Sequence, residues 1–382
     1  MAFGIICEYN PFHNGHLYQI NEIKKGTNEP IICVMSGNFT QRGEVAIADK
    51  YARAEMALAS GADIVLELPV PYCMASAEYF AVAGIEILHS VGVDKLCFGS
   101  ECADAEKIKR IAAIACSPEF KAECEGLPSN EGSASAYFTL LSQKSGEYDI
   151  ISNDILGIEY TKAIIKNGYD IQIFPIKREG SAYRETVLTD GEFPSAGAIR
   201  ESIRNGNFVN IEGFVPASTL EILNREELSS LDYAKRSVLT VLRLLDSENL
   251  DVAISDKGLV NRILSIAHEC TSYDEFEQRL QTKKYTGSAI RRAILYILLG
   301  IKHSDLDAMP TCTTVLAANA VGREYLSSIR KADCKIRLVT KPADADDNRQ
   351  TLINKRADAL YTICFENIKD SGSYIRKKPV IK

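Results

Sequence analysis

Residues 3–16 read FGIICEYNPFHNGH, and this stretch predicts both how the fold begins and where it binds a ligand. The apolar run at residues 3–7 is typical of a buried strand, whereas residues 15–24 have the spacing of a helix. A strand that turns through a tight loop into a helix presents free backbone N–H groups and a positive dipole end to an anion. His13 and His16 are three residues apart and can face the same bound group. The stretch therefore predicts a nucleotide phosphate site.

The alternation of strand and helix continues through the first 200 residues. Strands are predicted at residues 3–7, 31–35, 64–68, 95–98 and 171–176. Helices are predicted between them, at residues 15–24, 49–60, 75–90, 104–116 and 155–167. Continuous apolar strands alternating with helices favour a parallel sheet that is covered on both faces. We therefore expect an α/β fold with a Rossmann-like, doubly wound parallel sheet, whose ligand lies beyond the carboxyl ends of the strands.

The second half of the chain has a different pattern. After about residue 205 helical patterns dominate, with short strands possible at residues 315–320 and 335–340. A chain of 382 residues exceeds the usual size of one domain. We predict a nucleotide-binding catalytic domain at residues 1–205 and a mostly α-helical domain at residues 206–382.

Composition and charge narrow the class of protein. No apolar run is long enough to span a membrane, and the chain enters a strand without a signal-like segment. The 11 cysteines show no CxxC pair, so free thiols in a cytoplasmic protein are expected. Residues 1–200 carry 17 Lys and Arg against 27 Asp and Glu, a net charge of −10, whereas residues 201–382 carry 27 against 24, a net charge of +3. The basic second half either docks a polyanion or is an ordinary solvated surface.

The tetrapeptide His13-Asn14-Gly15-His16 matches the HxGH signature of nucleotidyltransferases and class I aminoacyl-tRNA synthetases. This chemistry needs hydrogen-bond donors where pyrophosphate leaves an α-phosphate, and imidazole N–H groups at a helix start supply them. His13 and His16 are therefore the predicted catalytic residues. A pair of surface histidines, or a zinc site, is the alternative, although no third metal ligand is suggested nearby.

A second phosphate contact is predicted at residues 194–200, PSAGAIR. Ser195 can cap a helix whose first turns carry Arg200. The segment resembles in part the second motif of the same superfamily, ISSTxxR, while the KMSKS motif of the synthetases is absent. A plain capped helix is the alternative.

Three further loops offer groups to a nucleotide. Gly99 ends a predicted strand, Asn153 opens a helix, and Arg178 follows the last strand of the sheet. The loop at residues 36–43 carries Gln41 and Arg42, which suit a carboxylate substrate. Simple helix capping by Asn153 and an ordinary surface loop at residues 36–43 remain open.

Cations in the second half suggest where RNA binds. Lys283 and Lys284 precede a helix that carries Arg291 and Arg292 on the side opposite its apolar stripe. Cations beside an aromatic residue suit an RNA backbone and a stacked base, and a solvated helix face is the alternative.

Taken together, these segments resemble the bacterial tRNA(Met) cytidine acetate ligase family. The resemblance is carried by CEYNPFHNGH at 7–16, SGNFTQRG at 36–43, GAD at 61–63 with ELP at 67–69, SAE at 76–78, CFGSE at 97–101, NDILG at 153–157 and SAGAIR at 195–200. It implies that acetate attacks the α-phosphate of ATP, with Mg²⁺ as the accompanying ion, and that the acetyl group then passes to the wobble cytidine of elongator tRNA(Met). AMP and pyrophosphate are the other products. The protein itself is expected to bind no metal.

The resemblance also assigns the ATP site residue by residue. The implied ATP contacts are Cys7, Glu8, Tyr9, Asn10, Pro11, Phe12, His13, Asn14, Gly15, His16, Leu17, Tyr18, Gln19, Ile20, Gly99, Asn153, Arg178 and Arg200. Two other functions stay open at this point. One is an adenylyltransferase that acts on a small phosphorylated metabolite, and the other is a non-catalytic tRNA-binding protein.

Overall fold

The computed structural model describes residues 1–127, 133–147, 152–178, 194–247, 250–282, 284–329 and 335–382. Its strands are β1 (Phe3–Cys7), β2 (Ile31–Ser36), β3 (Ile64–Leu68), β4 (Lys95–Ser100), β5 (Gln172–Lys177), β6 (Cys312–Ala318), β7 (Arg337–Val339) and β8 (Val380–Ile381). They form one sheet in the order β5-β4-β1-β2-β3-β6-β7, with β8 beside β6. The five strands predicted in the first half are present, within two residues at each end.

Helices cover the sheet and make up most of the second half. They are α1 (Asn14–Gly26), α2 (Lys50–Ala59), α3 (Ala77–Ser90), α4 (Ala105–Cys116), α5 (Pro118–Cys124), α6 (Ser133–Ser145), α7 (Ser152–Asn167), α8 (Ala196–Arg204), α9 (Ala217–Arg225), α10 (Leu231–Leu244), α11 (Lys257–Glu269), α12 (Tyr273–Leu280), α13 (Gly287–Leu299), α14 (His303–Asp307), α15 (Ala320–Ser328) and α16 (Arg349–Thr362). Among the described residues, no helix is long and apolar enough to cross a membrane.

The first five strands are parallel to one another, as predicted. β1 pairs with β2 on one side and with β4 on the other, so the strand order reverses between β1 and β4. Such a reversal opens a crevice at the carboxyl ends of the two strands, because the connections on either side leave in opposite directions. The close packing of α3 on β1 depends on Gly84, where a Cβ atom would lie 2.7 Å from Cδ1 of Ile6. The predicted α/β fold is confirmed.

The second half of the chain contributes to the same sheet. β6 lies antiparallel to β3, with Ile64 opposite Ala318, and parallel to β7 and β8. The short strands expected near residues 315–320 and 335–340 are therefore present, and the first of them extends the sheet. The boundary at residue 205 stays a prediction, since the sheet draws strands from both sides of it.

A buried ionic cluster ties the last long helix to the sheet. Lys50 Nζ of α2 lies 2.8 Å from Glu67 Oε1 of β3 and 2.9 Å from Asp358 Oδ2 of α16. Asn38 Nδ2 donates to Asp358 Oδ1 at 2.9 Å. All four side chains are buried. Because an unpaired charge is costly away from water, this cluster fixes the segment after β2 between the two halves of the chain.

Candidate active site

A cavity of about 370 Å³ opens at the point where the strand order reverses. Its floor is formed by the carboxyl ends of β1, β4 and β5, at Cys7, Gly99 and Ile176. The first turns of α1 and α8 form one wall, and the start of α7 forms another. This is where an open α/β sheet binds its ligands.

The loop between β1 and α1 turns sharply to bring the histidines to this cavity. Tyr9 has a φ of 46°, a left-handed conformation that is uncommon for a bulky residue. The Tyr9 ring is nonetheless buried, at 4.7 Å from the ring of Phe12 and 4.7 Å from that of His16. Strained backbone of this kind persists only where packing enforces it, and it is frequent at functional sites.

The two histidines cap the helix they begin. The backbone N–H of Gly15 donates to His13 Nδ1 at 3.0 Å, and the backbone N–H of His13 donates to His16 Nδ1 at 3.2 Å. The two rings stack with their centroids 3.7 Å apart. Since each Nδ1 accepts a hydrogen bond, each neutral ring carries its proton on Nε2. Both rings line the cavity and therefore offer it an N–H donor.

Both imidazoles are held in the neutral form. Burial lowers the pKa of His13 from 6.5 to about 3, with smaller contributions from Arg178 and Arg200. Burial also lowers the pKa of His16 well below its usual value, assisted by His13 and Arg178. Two neutral rings can bind an anion through fixed dipoles and hydrogen bonds rather than as two cations.

We expect His13 and His16 to stay neutral in the free protein as the pH falls from 8 to 5.5. Their folded pKa values are depressed, so a protonation step centred near 6.5, the value for an unperturbed imidazole, should be missing. Long-range ¹H–¹⁵N spectra of ¹⁵N-histidine-labelled protein should show Nε2–H tautomers over this range. The same sample in concentrated urea is the control, where the step should appear. Titration of His13 near pH 6.5 in the folded protein would contradict the assignment.

Cations from two elements also line the cavity. Lys177 and Arg178, at the end of β5, are exposed and line it. Gly99 lies directly below Arg178, where a Cβ atom would meet Cγ of that arginine at 3.2 Å. Arg200 of α8 also lines the cavity, and its Nη1 donates to the carbonyl oxygen of Asn10 at 2.8 Å. Three positive side chains around two neutral donors make an environment for a polyphosphate.

The loop after β2 reaches the cavity. Gln41 and Arg42 both line it. The backbone N–H of Gln41 donates to Glu8 Oε1 at 2.7 Å, which fixes the loop to the segment after β1. Burial raises the pKa of the Glu8 carboxyl, although the hydrogen bond from Gln41 works in the opposite direction.

Most of the predicted ATP contacts meet at the cavity, and a few do not. Residues that line it are Cys7, Glu8, Tyr9, Asn10, His13, Gly15, His16, Tyr18, Gln19, Gly99, Arg178 and Arg200. Five others lie beside the cavity and outside its lining: Pro11, Phe12, Asn14, Leu17 and Ile20. Phe12 and Ile20 are fully buried, and Asn14 Nδ2 donates to the carbonyl oxygen of Gly213. These five shape the loop and helix that carry the histidines.

The structure adds groups that the sequence analysis passed over. The side chain of Asn153 lies outside the described residues, but its neighbour Asp154 is buried. Asp154 Oδ1 accepts hydrogen bonds from Ser100 Oγ at 2.5 Å and from the backbone N–H of Glu101 at 3.1 Å. These bonds join the start of α7 to the end of β4.

The apolar wall of the cavity was also missed in the sequence. It consists of Phe80, Phe98, Ile155, Leu156 and Tyr160.

The predicted RNA-binding cations lie in two different settings. Lys284 is exposed and its Nζ lies 2.5 Å from Asp256 Oδ2. Lys283 lies outside the described residues. Arg291 and Arg292 are not on an open helix face, because Nε of Arg291 donates to the carbonyl oxygen of Arg42 at 3.1 Å and Nη1 of Arg292 donates to that of Gln41 at 3.4 Å. The start of α13 thus supports the loop after β2.

Relatives of known class match almost the whole of this chain. A family model described as HIGH Nucleotidyl Transferase matches residues 1–374. The tRNA(Met) cytidine acetate ligase of Caldanaerobacter subterraneus subsp. tengcongensis is 38% identical over 96% of this chain and 96% of its own length. That of Acetivibrio thermocellus is 36% identical over 96% of this chain and 95% of its own length.

Solved structures agree with the sequence relatives. The apo structure of Thermotoga maritima TmcAL superposes with a TM-score of 0.89 at 30% identity, covering 100% of this chain and 99% of the other. TmcAL from the same organism bound with alpha-thio ATP superposes with a TM-score of 0.86 at 29% identity and the same coverage. The chain therefore belongs to the HIGH nucleotidyl transferase family and, within it, to the tRNA(Met) cytidine acetate ligases.

Proposed function

We propose that this protein is an ATP-dependent ligase that acetylates the wobble cytidine of elongator tRNA(Met). One observation carries the proposal: two neutral histidines, one buried and one half-buried, present Nε2–H donors to a cavity at the strand-order reversal that Arg178 and Arg200 also line. The relative of known structure with bound alpha-thio ATP supports a nucleotide in this cavity. The curated relatives support the tRNA substrate.

In the first step an acetate oxygen attacks the α-phosphate of ATP. The new bond is between acetate oxygen and phosphorus, and the bond from the α-phosphorus to the bridging oxygen breaks. Pyrophosphate leaves with that electron pair, so negative charge grows on the leaving group. His13 and His16 donate hydrogen bonds to the phosphates, and the N-terminus of α1 adds its dipole. No proton is transferred in this step, which agrees with two imidazoles that stay neutral.

The second step transfers the acetyl group to RNA. The N4 amine of cytidine attacks the carbonyl carbon of acetyl-adenylate, AMP leaves with the electrons of the carbon–oxygen bond, and the proton lost by the amine passes to solvent. The protein needs no covalent intermediate for either step. We propose that Gln41 and Arg42, at the mouth of the cavity, orient the acetate carboxylate and then its carbonyl group.

The proposed adenosine site lies on the apolar side of the cavity. Phe98, Leu156 and Tyr160 line this side, next to Gly99. A purine ring gains affinity from apolar and aromatic surface, whereas the phosphates need the donors of α1 and the cations. The apolar side of the cavity therefore suits the adenosine of ATP, and the side with the α1 donors and the cations suits its phosphates.

Mg²⁺ stays a prediction. Within the part of the chain that is described, no three His, Cys, Asp or Glu side chains come together as a metal site. Glu8 lines the cavity, but its Oε1 already accepts the Gln41 N–H. These residues do not build a resident magnesium site, and no step above depends on one.

RNA is proposed to bind the second half of the chain. Lys284 is the exposed cation among the described members of the predicted set, and it lies 2.5 Å from Asp256 Oδ2. Its neighbour Tyr285 donates to the same carboxylate oxygen at 2.6 Å. Cations beside aromatic rings suit a phosphate backbone. The boundary between the two proposed domains, near residue 205, belongs to the same proposal.

Two measurements test the function. Incubation of the protein with ATP, acetate and radiolabelled pyrophosphate should give acetate-dependent exchange of label into ATP. Nucleoside mass spectrometry after incubation with elongator tRNA(Met) should then detect N4-acetylcytidine. Exchange that requires a phosphorylated metabolite instead of acetate would identify the adenylyltransferase alternative. The absence of both exchange and acetylcytidine would leave a binding protein.

A further inference from the structure

The loop after β2 has two faces, and only one of them meets the cavity. It is a tight hairpin, closed by a hydrogen bond from the Thr40 N–H to the carbonyl oxygen of Glu44 at 3.0 Å. Gln41 and Arg42 line the cavity, whereas their carbonyl oxygens accept from arginines of α13. Contact with α13 is so close that a Cβ atom on Gly43 would lie 2.8 Å from a backbone nitrogen of that helix.

Glu44, the last residue of this hairpin, bridges an arginine from each half of the chain. Its Oε2 lies 3.0 Å from Nη2 of Arg200, and its Oε1 lies 3.4 Å from Nη2 of Arg291. The three side chains are 14–27% exposed. Charges in such surroundings interact more strongly than an ion pair in open water, because solvent screens them less.

Arg200 depends on this bridge for its orientation. Its Nη1 donates to the carbonyl oxygen of Asn10, and its Nη2 donates to Glu44. Its Nε is buried and has no hydrogen-bond partner among the described residues. Because two of its nitrogens are hydrogen-bonded, the Arg200 guanidinium has a fixed orientation at the wall of the cavity. It still has N–H groups that can donate to an anion.

We infer that Glu44 is a positioning residue for adenylate formation, and that Arg291 of the helical half holds it in place. The inference rests on the proposed function. Arg291 then acts on the reaction through Glu44 and Arg200 and affects the step that precedes acetyl transfer to RNA. This differs from a direct role in RNA contact, which its place on a basic helix suggested.

The two roles predict different results in a reaction without tRNA. Acetate-dependent exchange of pyrophosphate into ATP is to be measured for Glu44→Gln, Arg291→Gln and the double variant. Each single change should lower kcat for exchange by about 10- to 100-fold, as expected when a catalytic group loses its alignment. The KM for ATP should change by less than about threefold, since the phosphate contacts themselves remain. The double variant should be no slower than the slower single variant, because both act on one chain of contacts.

Matched controls separate positioning from general damage. Glu269 and Arg279 form an exposed ion pair between α11 and α12, so Glu269→Gln and Arg279→Gln should exchange at the wild-type rate. Arg291→Lys keeps the positive charge toward Glu44 and should retain more exchange than Arg291→Gln. Thermal unfolding midpoints of all variants show whether a slow variant is folded.

Other outcomes have distinct meanings. If Arg291→Gln exchanges normally and loses only tRNA acetylation, Arg291 contacts RNA and the inference is overturned. Unchanged exchange in Glu44→Gln overturns it as well. If the wild-type protein shows no acetate-dependent exchange, the proposed function fails, and the inference fails with it.

Discussion

Replacement of His16 by alanine is expected to slow adenylate formation by about 10²–10³-fold, the usual cost of one lost donor at a site of developing charge. The Nε2–H of His16 is one of two imidazole donors that the cavity offers to the phosphates. The measurement is acetate-dependent pyrophosphate exchange, with tRNA binding followed separately. Binding of tRNA should be unaffected, since the proposed RNA surface lies in the other half of the chain.

His16 has a structural role as a helix cap and a proposed role as a donor to the phosphates, and two variants can separate them. Asparagine can still accept the His13 N–H near the position of Nδ1, but it has no donor where Nε2 lies. Glutamine reaches the position of Nε2 with an amide N–H and lacks the acceptor at Nδ1. We expect His16→Asn to be as slow as His16→Ala but to have a higher free energy of unfolding, because a lost helix cap costs about 0.5–2 kcal/mol. His16→Gln should recover part of the rate. Equal exchange in His16→Ala and the wild type would remove His16 from the mechanism.

Lys50→Met is expected to lower the free energy of unfolding by about 3–5 kcal/mol, the cost of breaking a buried ion pair from one side. The change leaves Glu67 and Asp358 buried without their cation. Chemical denaturation at pH 7 measures the effect. Lys25→Met removes a lysine whose ion pair with Glu22 is exposed, and it should cost no more than about 1 kcal/mol.

The loss in Lys50→Met should depend on pH with a definite sign. Burial raises the pKa of Asp358 to about 6 even with Lys50 beside it. The pKa of an aspartate in the unfolded chain is near 3.8. A carboxyl whose pKa is higher in the folded state stabilises that state at pH values below 3.8, and this stabilisation is lost as the pH rises through the folded-state pKa. Without Lys50 the pKa of Asp358 rises further. The loss of unfolding free energy in Lys50→Met, relative to the wild type, should therefore shrink as the pH falls from 7 toward 5. Adding Asp358→Asn to Lys50→Met should restore part of the stability at pH 7. A stability loss that does not depend on pH would show that the unpaired Asp358 carboxylate is not its cause.

The first half of the fold could be predicted because local signals decide it. FGIIC is apolar throughout, as a strand covered on both faces must be, and HNGH supplies both the cap and the first turn of α1. The position of β6 could not be predicted in the same way. Its pairing with β3 joins residues that are far apart in sequence, and nothing in either strand encodes which edge of the sheet is open.

The candidate site was partly predictable for a similar reason. His13 caps the helix that follows β1, Gly99 is the second-last residue of β4, and Arg178 directly follows β5, so the sheet brings them together. Asp154 was missed because two adjacent polar residues at a helix start are equivalent in sequence, and only tertiary structure decides which one faces the end of β4.

Periodicity also gave an incomplete view of α13. It placed Arg291 and Arg292 opposite the apolar stripe, and a charged face is normally solvated. In the structure that face carries the hairpin of residues 40–44. Helical spacing reveals which residues share a face, but not what covers that face.

The antiparallel pairing of β6 with β3 has a consequence during synthesis. Ribosomes add about 5–20 residues per second, so β6 leaves the exit tunnel roughly 10–50 s after β3. During this interval the Ile64–Leu68 edge has unpaired N–H and C=O groups, which other chains could extend. A nascent chain of this protein is therefore expected to need a chaperone at that edge until β6 arrives.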